Sequence, residues 1–376
     1  MSASRRLHLA AGAYTPLMAK PRILPRLLLA AAVSALTLAV AEWAVRAIRD
    51  PRPIERQEQR EIFPTYYPLA EGGLFTRDGD ERLRYRLTPG FDMELDGRRY
   101  RVGSLGLRGG ELSPQRPAGR QRVVVLGDSF AFGLGVDEDE TFTAQLEALL
   151  RQDGRRVEVA NLGVPGYHTG QELAWLERAG FALDPDLVVL LYYGNDEIGE
   201  AFQYDPTFRV LYGDALPVPY RLKGVLARSA IYRWLARADI GRLRRRGDLS
   251  SLGSRHWPVT EDRLERLFRA CAERDTPLIV ANLPLLWSSQ ALADPAGPGY
   301  ENSDRVNRLA ERHEVPLVDL RPVLLARRQA PDDDFLRRLL IAPDPPQDHH
   351  LTAEGYAIIA TAVAEQITAQ GLLPLP

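Results

Sequence analysis

The chain has 376 residues, of which 45% are hydrophobic and 26% are charged, and its formal net charge at pH 7 is −2. This length suits one large α/β domain with a smaller appendage, and the composition excludes a wholly disordered chain and a membrane protein with many spans. The near-neutral charge argues against a dedicated nucleic-acid-binding protein, which would carry a strongly basic surface.

Near the N-terminus, the run Leu27–Ala41 carries no charge and follows two arginines. Continued to Ile48 it has about 22 residues, enough to cross a hydrocarbon core ~30 Å thick. It therefore predicts a signal anchor, with residues 1–49 forming a cytoplasmic tail and a transmembrane helix and the rest lying on the periplasmic or extracellular face. Two alternatives stay open: Ala39-Val40-Ala41 fits a signal-peptidase site, which would release a secreted protein, and the run could be a buried core helix.

Residues 50–120 are rich in Pro, Gly, Arg and Tyr, and we call them the N-terminal β-segment. Short alternating stretches at 82–87 and 100–102 predict strands. Turn signals at 88–90 and 96–97 predict hairpins. We expect this segment to pack on the main domain rather than to fold alone.

Residues 121–376 alternate apolar runs with amphipathic helical patterns, which is typical of a parallel sheet covered by helices on both faces. We therefore predict a three-layer α/β/α domain with a five-stranded, doubly wound parallel sheet. An insertion at about 200–257 is rich in Arg, Tyr and Trp, and it could be an amphipathic lid, a surface lying on anionic lipid, or a solvated helix packed on its own domain. The five predicted strands are Val123–Leu126, Val157–Ala160, Leu187–Tyr192, Leu278–Leu283 and Val315–Leu320.

A serine stands directly after the first predicted strand, in Gly127-Asp128-Ser129-Phe130. Gly127 permits a tight turn that would present the hydroxyl at the carboxyl edge of the sheet, where the sites of such folds gather. A serine becomes a nucleophile only beside a base, and one C-terminal loop supplies an acid and two histidines, Asp348-His349-His350. Taken singly, the serine could equally cap a helix, and the histidines could lie in a surface loop.

Together, these motifs resemble those of the SGNH/GDSL hydrolases over about residues 121–366. The resemblance implies a flavodoxin-like sheet and a serine esterase that needs no cofactor and no metal. The blocks occur in the family's order, each after a predicted strand or near the C-terminus: Gly127-Asp128-Ser129-Phe130, Asn161-Leu162-Gly163-Val164-Pro165-Gly166, Gly194-Asn195-Asp196 and Asp348-His349-His350.

The resemblance also implies a role for individual residues. Ser129 would attack an ester carbonyl, His350 would act as general base and then as acid, and Asp348 would orient the imidazole. The oxyanion would be bound by the backbone N–H groups of Ser129 and Gly166 and by the side-chain amide of Asn195.

One position departs from the family pattern. Members often place the acid three residues before the histidine, where this chain has Gln347, whereas Asp348 lies two residues before His350. His349 therefore remains an alternative base, and Asp344 remains an alternative acid.

The expected substrate is an O-acyl ester with a short acyl group such as acetyl, carried by an exported glycan. An O-acyltransferase would use the same triad, and a non-catalytic glycan-binding or assembly protein is the alternative from another class. The membrane is an expected partner through the N-terminal helix, and nucleic acid is not an expected partner. The sequence does not indicate a protein partner.

Overall fold

The structure is a computed structural model, and it describes residues 23–49, 73–80, 82–83, 85–95, 97–152, 154–194, 196, 229–232, 234–235, 250–286, 298–330, 335–342 and 348–374. The chain divides into two compact units, Met1–Asp50 and Pro51–Pro376.

The first unit contains a single long helix, α1, which spans Ile23–Arg49. Its stretch Pro25–Ile48 has a mean hydropathy of 1.9 and is long and apolar enough to cross a membrane. The Thr37 hydroxyl donates to the carbonyl of Val33 at 2.8 Å, so this polar group is satisfied within the helix. The apolar side chains of α1 are exposed, as expected for a signal sequence or an anchor.

The N-terminal β-segment forms two antiparallel pairs. β1 pairs with β2, and β3 pairs with β4 through a tight hairpin in which Leu95 is opposite Arg98. Gly97, one of the two predicted turn residues, lies in this hairpin with φ +73°. The four strands are β1 Phe75–Arg77, β2 Tyr85–Leu87, β3 Asp92–Leu95 and β4 Arg98–Arg101.

The second unit is built around the predicted five-stranded parallel sheet. Its strands are β5 Gln121–Gly127, β6 Val157–Asn161, β7 Leu187–Tyr193, β8 Leu278–Leu283 and β9 Leu317–Asp319. The spatial order is β6-β5-β7-β8-β9, which is the flavodoxin-like order 2-1-3-4-5. β6 lies on one side of β5 and the later strands lie on the other, so the strand order reverses direction at β5. The loops after β5, β6 and β7 therefore border the place where ligands bind in such sheets.

Helices cover the sheet, and a small antiparallel pair of strands precedes the last helix. The helices are α2 Ser129–Phe132, α3 Phe142–Gln152, α4 Thr169–Trp175, α5 Ser250–Ala272, α6 Pro298–Arg312, α7 Leu320–Leu325, α8 Leu336–Leu339 and α9 Ala353–Ala369. The additional strands are β10 Leu340–Ala342 and β11 Asp348–Leu351.

Alternate residues of the buried strands enter two separate cores, one on each face of the sheet. Val123 and Val125 of β5 pack with side chains of α3, α7 and α9. Val124 and Leu126 pack on the opposite face with α4, α5, α6 and the N-terminal β-segment. This confirms the three-layer prediction, and it explains why the strands read as continuous apolar runs rather than alternating ones.

Four of the five strands differ from their predicted bounds by one or two residues, and the end of the fifth strand has a clear local cause. The fifth strand ends at Asp319 rather than Leu320, because the Asp319 side chain accepts a hydrogen bond from Arg321 N at 2.9 Å and starts α7. After α4, the helical conformation continues through a π turn at Leu176–Gly180 and a 3₁₀ turn at Phe181–Leu183. Gly180 has φ −64°, so it does not end a helix, and the left-handed residue that does is Asp184 with φ +54°.

The amino edge of the sheet is held by a buried ion pair. Arg122 of β5 is opposite Glu158 of β6, and its Nε donates to Glu158 Oε1 at 2.7 Å. The Arg122 side chain is fully buried and also donates to the carbonyls of Leu183 and Ser113 at 2.8 and 2.9 Å. Buried charges are tolerated only when paired in this way.

Replacement Glu158→Ala should therefore lower the free energy of unfolding by about 3 kcal/mol, because it leaves the Arg122 charge buried without its carboxylate. Urea denaturation followed by circular dichroism measures this change. The matched control is Glu177→Ala, which removes a 2.6 Å ion pair with Arg82 whose partners are 38% and 53% exposed. That pair should contribute no more than about 1 kcal/mol, and equal losses in the two variants would contradict the prediction.

Candidate active site

The nucleophile candidate Ser129 begins α2 directly after the buried strand β5. Asp128 caps the helix, because its carboxylate accepts a hydrogen bond from Phe130 N at 2.8 Å. Only 7% of Ser129 is exposed, so the turn holds the serine at the sheet's carboxyl edge in a largely enclosed position.

His350 lies beside Ser129 in the structure, although the two residues are 221 positions apart in the sequence. Nε2 of His350 lies 2.7 Å from Oγ of Ser129, a short hydrogen-bond distance. The Asp128 carboxylate also approaches Oγ, but at 3.5 Å, near the limit for a hydrogen bond. The imidazole is therefore the stronger partner of the Ser129 hydroxyl.

The end of β11 is fixed by the start of α9. Thr352 caps α9 by accepting a hydrogen bond from Gly355 N, and Gln145 of α3 donates to the carbonyl of Ala353 at 3.0 Å. Leu351, which lies between His350 and Thr352 in the sequence, is fully buried. The imidazole is thus carried on backbone that is tied to both α3 and α9.

Aromatic rings line one side of the Ser129–His350 pair. The ring of Phe130 lies 4.9 Å from the imidazole and 4.2 Å from the ring of Tyr193, measured between centroids. Burial raises the pKa of the Tyr193 hydroxyl well above its ordinary value of 10, and the nearby Asp128 carboxylate acts in the same direction. Tyr193 is therefore neutral at physiological pH and packs against Phe130 as an uncharged ring.

Asn161, at the end of β6, connects the loop after β6 to α2. Its Nδ2 donates to the carbonyl of Ala131 in α2 at 2.8 Å, and its Oδ1 accepts from Gly163 N at 2.9 Å. The backbone N–H of Val164 donates to the carbonyl of Gly127 at 3.2 Å. Asn161 belongs to the motif Asn161-Leu162-Gly163-Val164-Pro165-Gly166, but no pattern in the sequence indicates this bridging role.

The loop between β6 and α4 approaches α2 too closely for a side chain at position 163. A Cβ on Gly163 would lie 2.3 Å from the backbone nitrogen of Phe132. Gly166, three residues later, has φ +79°, a conformation that favours glycine. The positive φ is thus a backbone requirement for glycine at position 166.

Several predicted residues lie wholly or partly outside the described part of the chain. Asn195 and Asp344 lie outside the described residues, and for Asp348 and His349 the structure describes only the backbone, in β11. Most of the predicted insertion at 200–257 also lies outside them.

Two neighbouring polar residues have structural contacts. The Asp196 carboxylate accepts a hydrogen bond from the Thr169 hydroxyl at 3.0 Å. His168 is buried and caps α4, with its Nδ1 accepting from Gly170 N at 3.1 Å. Within the described ranges, no three His, Cys, Asp or Glu side chains form a group that could hold a metal ion.

Residues 125–358 match the sequence profile of the GDSL-like Lipase/Acylhydrolase family, which is more than half of the chain. The protein therefore belongs to the GDSL-like lipase/acylhydrolase family, and it is an SGNH/GDSL-type esterase or acylhydrolase. No curated protein matches the chain.

The chain also resembles solved structures, among them TesA, AlAXEase and EstA. TesA is 16% identical, with 67% of this chain and 100% of TesA covered and a TM-score of 0.42. The acetyl xylan esterase AlAXEase is 14% identical, with 65% and 99% covered and a TM-score of 0.42. The psychrotrophic esterase EstA from Pseudoalteromonas sp. is 12% identical, with 66% and 98% covered and a TM-score of 0.40.

Replacement Gly163→Ala should displace the loop after β6 from α2, because the new methyl group would overlap the Phe132 nitrogen. We expect a loss of stability of about 1–3 kcal/mol. Esterase activity should fall by up to roughly 10²-fold, since small displacements near reacting groups have effects of that size. Thermal denaturation and hydrolysis of p-nitrophenyl acetate measure the two effects.

The control for this variant is Gly79→Ala, at an exposed glycine where a Cβ would meet nothing within 4 Å. It should leave both stability and activity close to wild type. If Gly163→Ala behaved in the same way, the close approach of this loop to α2 would be wrong.

Proposed function

We propose that this protein hydrolyses O-acyl esters through a triad of Ser129, His350 and Asp348 in a hydrolase domain formed by residues 121–376. The observation that carries the proposal is the 2.7 Å distance between Ser129 Oγ and His350 Nε2. A serine is a weak nucleophile until a base accepts its proton, and this contact joins a serine to a suitable base at the carboxyl edge of a parallel sheet.

In the proposed reaction, Ser129 Oγ attacks the ester carbonyl carbon as its proton passes to Nε2 of His350. The tetrahedral intermediate collapses, and the imidazolium protonates the departing alcohol. Water then attacks the acyl-serine, gives a proton to the same nitrogen, and releases the carboxylic acid as the proton returns to Ser129. The family supplies the ester or acyl substrate class, and this route needs no cofactor.

The negative oxygen of the tetrahedral intermediate is assigned to an oxyanion hole formed by Ser129 N, Gly166 N and the Asn195 side-chain amide. Two observations support the position of the first two donors. Ser129 is the first residue of α2, where backbone N–H groups are not used within the helix. Gly166 lies in the loop after β6. Val164 of the same loop donates its backbone N–H to the carbonyl of Gly127, which is two residues before Ser129.

Asp348 is assigned as the acid that orients the imidazole. Asp348 lies in the same short strand as His350, two residues before it, and the register of β11 against β10 shifts within this strand. His350 is favoured over His349 as the base because its Nε2 lies 2.7 Å from Ser129 Oγ. Asp344 would act from outside this strand.

The proposed substrate is an ester with a short acyl group, such as acetyl, on an exported glycan. This part of the proposal is supported by the exposed apolar helix α1, which fits an export signal or an anchor and would place the hydrolase domain outside the cytoplasm. Product analysis with an acetylated glycan, with and without acceptor sugars, tests it. Free acetate supports hydrolysis, whereas acetylated acceptor would identify an acyltransferase.

Replacement Ser129→Ala should abolish hydrolysis of p-nitrophenyl acetate while leaving the fold intact, because the lost hydroxyl fills almost no volume. His350→Ala should reduce kcat by at least ~10³-fold, since the serine then lacks its base. His349→Ala is the matched control and should keep near-wild-type activity. Ser129→Ala activity within about threefold of wild type would exclude this serine, and an inactive His349→Ala with an active His350→Ala would move the base to 349.

The attachment of the protein is a separate prediction. If α1 remains as an anchor, the full chain should stay with membranes through a carbonate wash, because ~20 apolar residues in the bilayer outweigh surface electrostatics. Fractionation followed by N-terminal sequencing measures this outcome. A mature chain beginning at Glu42 would instead show that the Ala39-Val40-Ala41 site is cleaved and that the protein is released.

A further inference from the structure

Two tyrosines connect the N-terminal β-segment to the loop that contains Gly166. The Tyr85 hydroxyl of β2 donates to the carbonyl of Pro165 at 3.0 Å. In return, the Tyr167 hydroxyl donates to the backbone carbonyl of Tyr85. The two hydrogen bonds bracket Gly166, because one reaches the residue before it and the other comes from the residue after it.

This pair is enclosed and is reinforced by packing. Tyr85 is 7% exposed and Tyr167 is 2% exposed, and their rings meet edge to face with centroids 5.3 Å apart. A third hydrogen bond, from Gln171 Nε2 to the carbonyl of Leu83 at 2.8 Å, joins the same two parts of the chain. Gly166 itself is only half-buried, so the contacts enclose its neighbours and leave Gly166 accessible.

The carbonyl that accepts from Tyr85 and the N–H assigned to the oxyanion hole belong to one peptide group, Pro165–Gly166. A peptide group is planar, and in the trans form present here the C=O and N–H bonds point in opposite directions. A hydroxyl that fixes the direction of the Pro165 carbonyl therefore also fixes the direction of the Gly166 N–H.

We propose that Tyr85 is a positioning residue for the oxyanion hole, which orients and polarises the Pro165–Gly166 peptide group from the side opposite the substrate. The inference rests on the proposed function, in which Gly166 N–H binds the oxyanion. Because Gly166 has no Cβ, it restricts the rotation of the Pro165–Gly166 peptide group less than any other residue would. The Tyr85 hydrogen bond opposes that rotation, and it makes the N–H a better donor through cooperativity along the chain of hydrogen bonds.

Tyr85 lies outside the residues 125–358 that match the family profile, so the family motifs give no hint of it. The N-terminal β-segment thus contributes to the oxyanion hole of this enzyme as well as to its core. A loss of the Tyr85 hydroxyl should affect the transition state more than the bound ester, because the oxyanion forms only during reaction.

The test compares Tyr85→Phe with Tyr100→Phe in the full-length protein, with p-nitrophenyl acetate as substrate. Tyr100 is the matched control, since it is a buried tyrosine of the same segment whose hydroxyl accepts from a backbone amide, Gly135 N, at 2.8 Å. Tyr85→Phe should lower kcat by roughly three- to tenfold, the effect of one buried hydrogen bond, with KM changed less than about twofold. Tyr100→Phe should keep both constants within about twofold of wild type.

A second readout is the inhibition constant of methylboronic acid, whose tetrahedral serine adduct places a negative oxygen in the oxyanion hole. It should weaken in Tyr85→Phe by the same factor as kcat falls, a change that a general loss of stability would not produce. If Tyr85→Phe does not fold, Tyr167→Phe removes the hydrogen bond that holds the Tyr85 backbone and should show a smaller loss, again confined to kcat.

Wild-type kcat and boronate affinity in the folded tyrosine variant would overturn the positioning role. Ser129→Ala, assayed in parallel, separates the two hypotheses. If Ser129→Ala is inactive while Tyr85→Phe is unaffected, only the role of Tyr85 fails. If Ser129→Ala is active, the proposed function itself fails.

Discussion

The contact between Ser129 Oγ and His350 Nε2 joins residues that are 221 positions apart in the chain. Closing so long a loop is entropically unfavourable, so the contact exists only because the sheet and its helices fix both ends. Ser129 is fixed by the buried strand β5 and the Asp128 cap, and His350 by the buried start of α9 against α3. The precision that a proton transfer requires is therefore a property of the whole domain.

Buried polar side chains at the two edges of the sheet have different kinds of hydrogen-bond partner. At the amino edge, Arg122 and Glu158 satisfy one another and several carbonyls, which makes this end rigid. At the carboxyl edge, Asp128 and Asn161 bond to backbone groups around α2, so that polar side chains shape the loops. This division agrees with the general behaviour of parallel α/β sheets, in which one edge stabilises and the other carries the site.

The N-terminal β-segment belongs to the same packed unit as the family core. Its Leu83, Leu87 and Tyr100 share a hydrophobic core with β5 and β7. Its Arg108 also pairs with Asn161 through backbone N–H to the Asn161 carbonyl at 3.2 Å. The boundaries of the family profile, 125–358, are therefore narrower than those of the folded unit, and a fragment with only those residues would expose apolar surface that this segment covers.

The sequence by itself determined the layers of the fold and the candidates for the chemistry. Five apolar runs between amphipathic patterns specify a buried parallel sheet, and a serine after the first run lies at its carboxyl edge, because hydrophobic periodicity and strand direction are local properties. The sequence also predicted the turn at 96–97 and the apolar N-terminal helix, which depend on neighbouring residues alone. It misplaced the end of the fifth strand, since capping by Asp319 depends on local geometry that composition does not specify.

Only the tertiary structure decided which distant groups meet. The 2.7 Å approach of His350 to Ser129, the bridge from Asn161 to Ala131, and the bond from Tyr85 to Pro165 each join segments that are far apart in sequence. No periodicity marks such pairs, because they result from the order of strands in the sheet and from how closely glycines such as Gly163 let loops approach. A tyrosine in an alternating strand reads as an ordinary core residue until the packing shows which carbonyl its hydroxyl reaches.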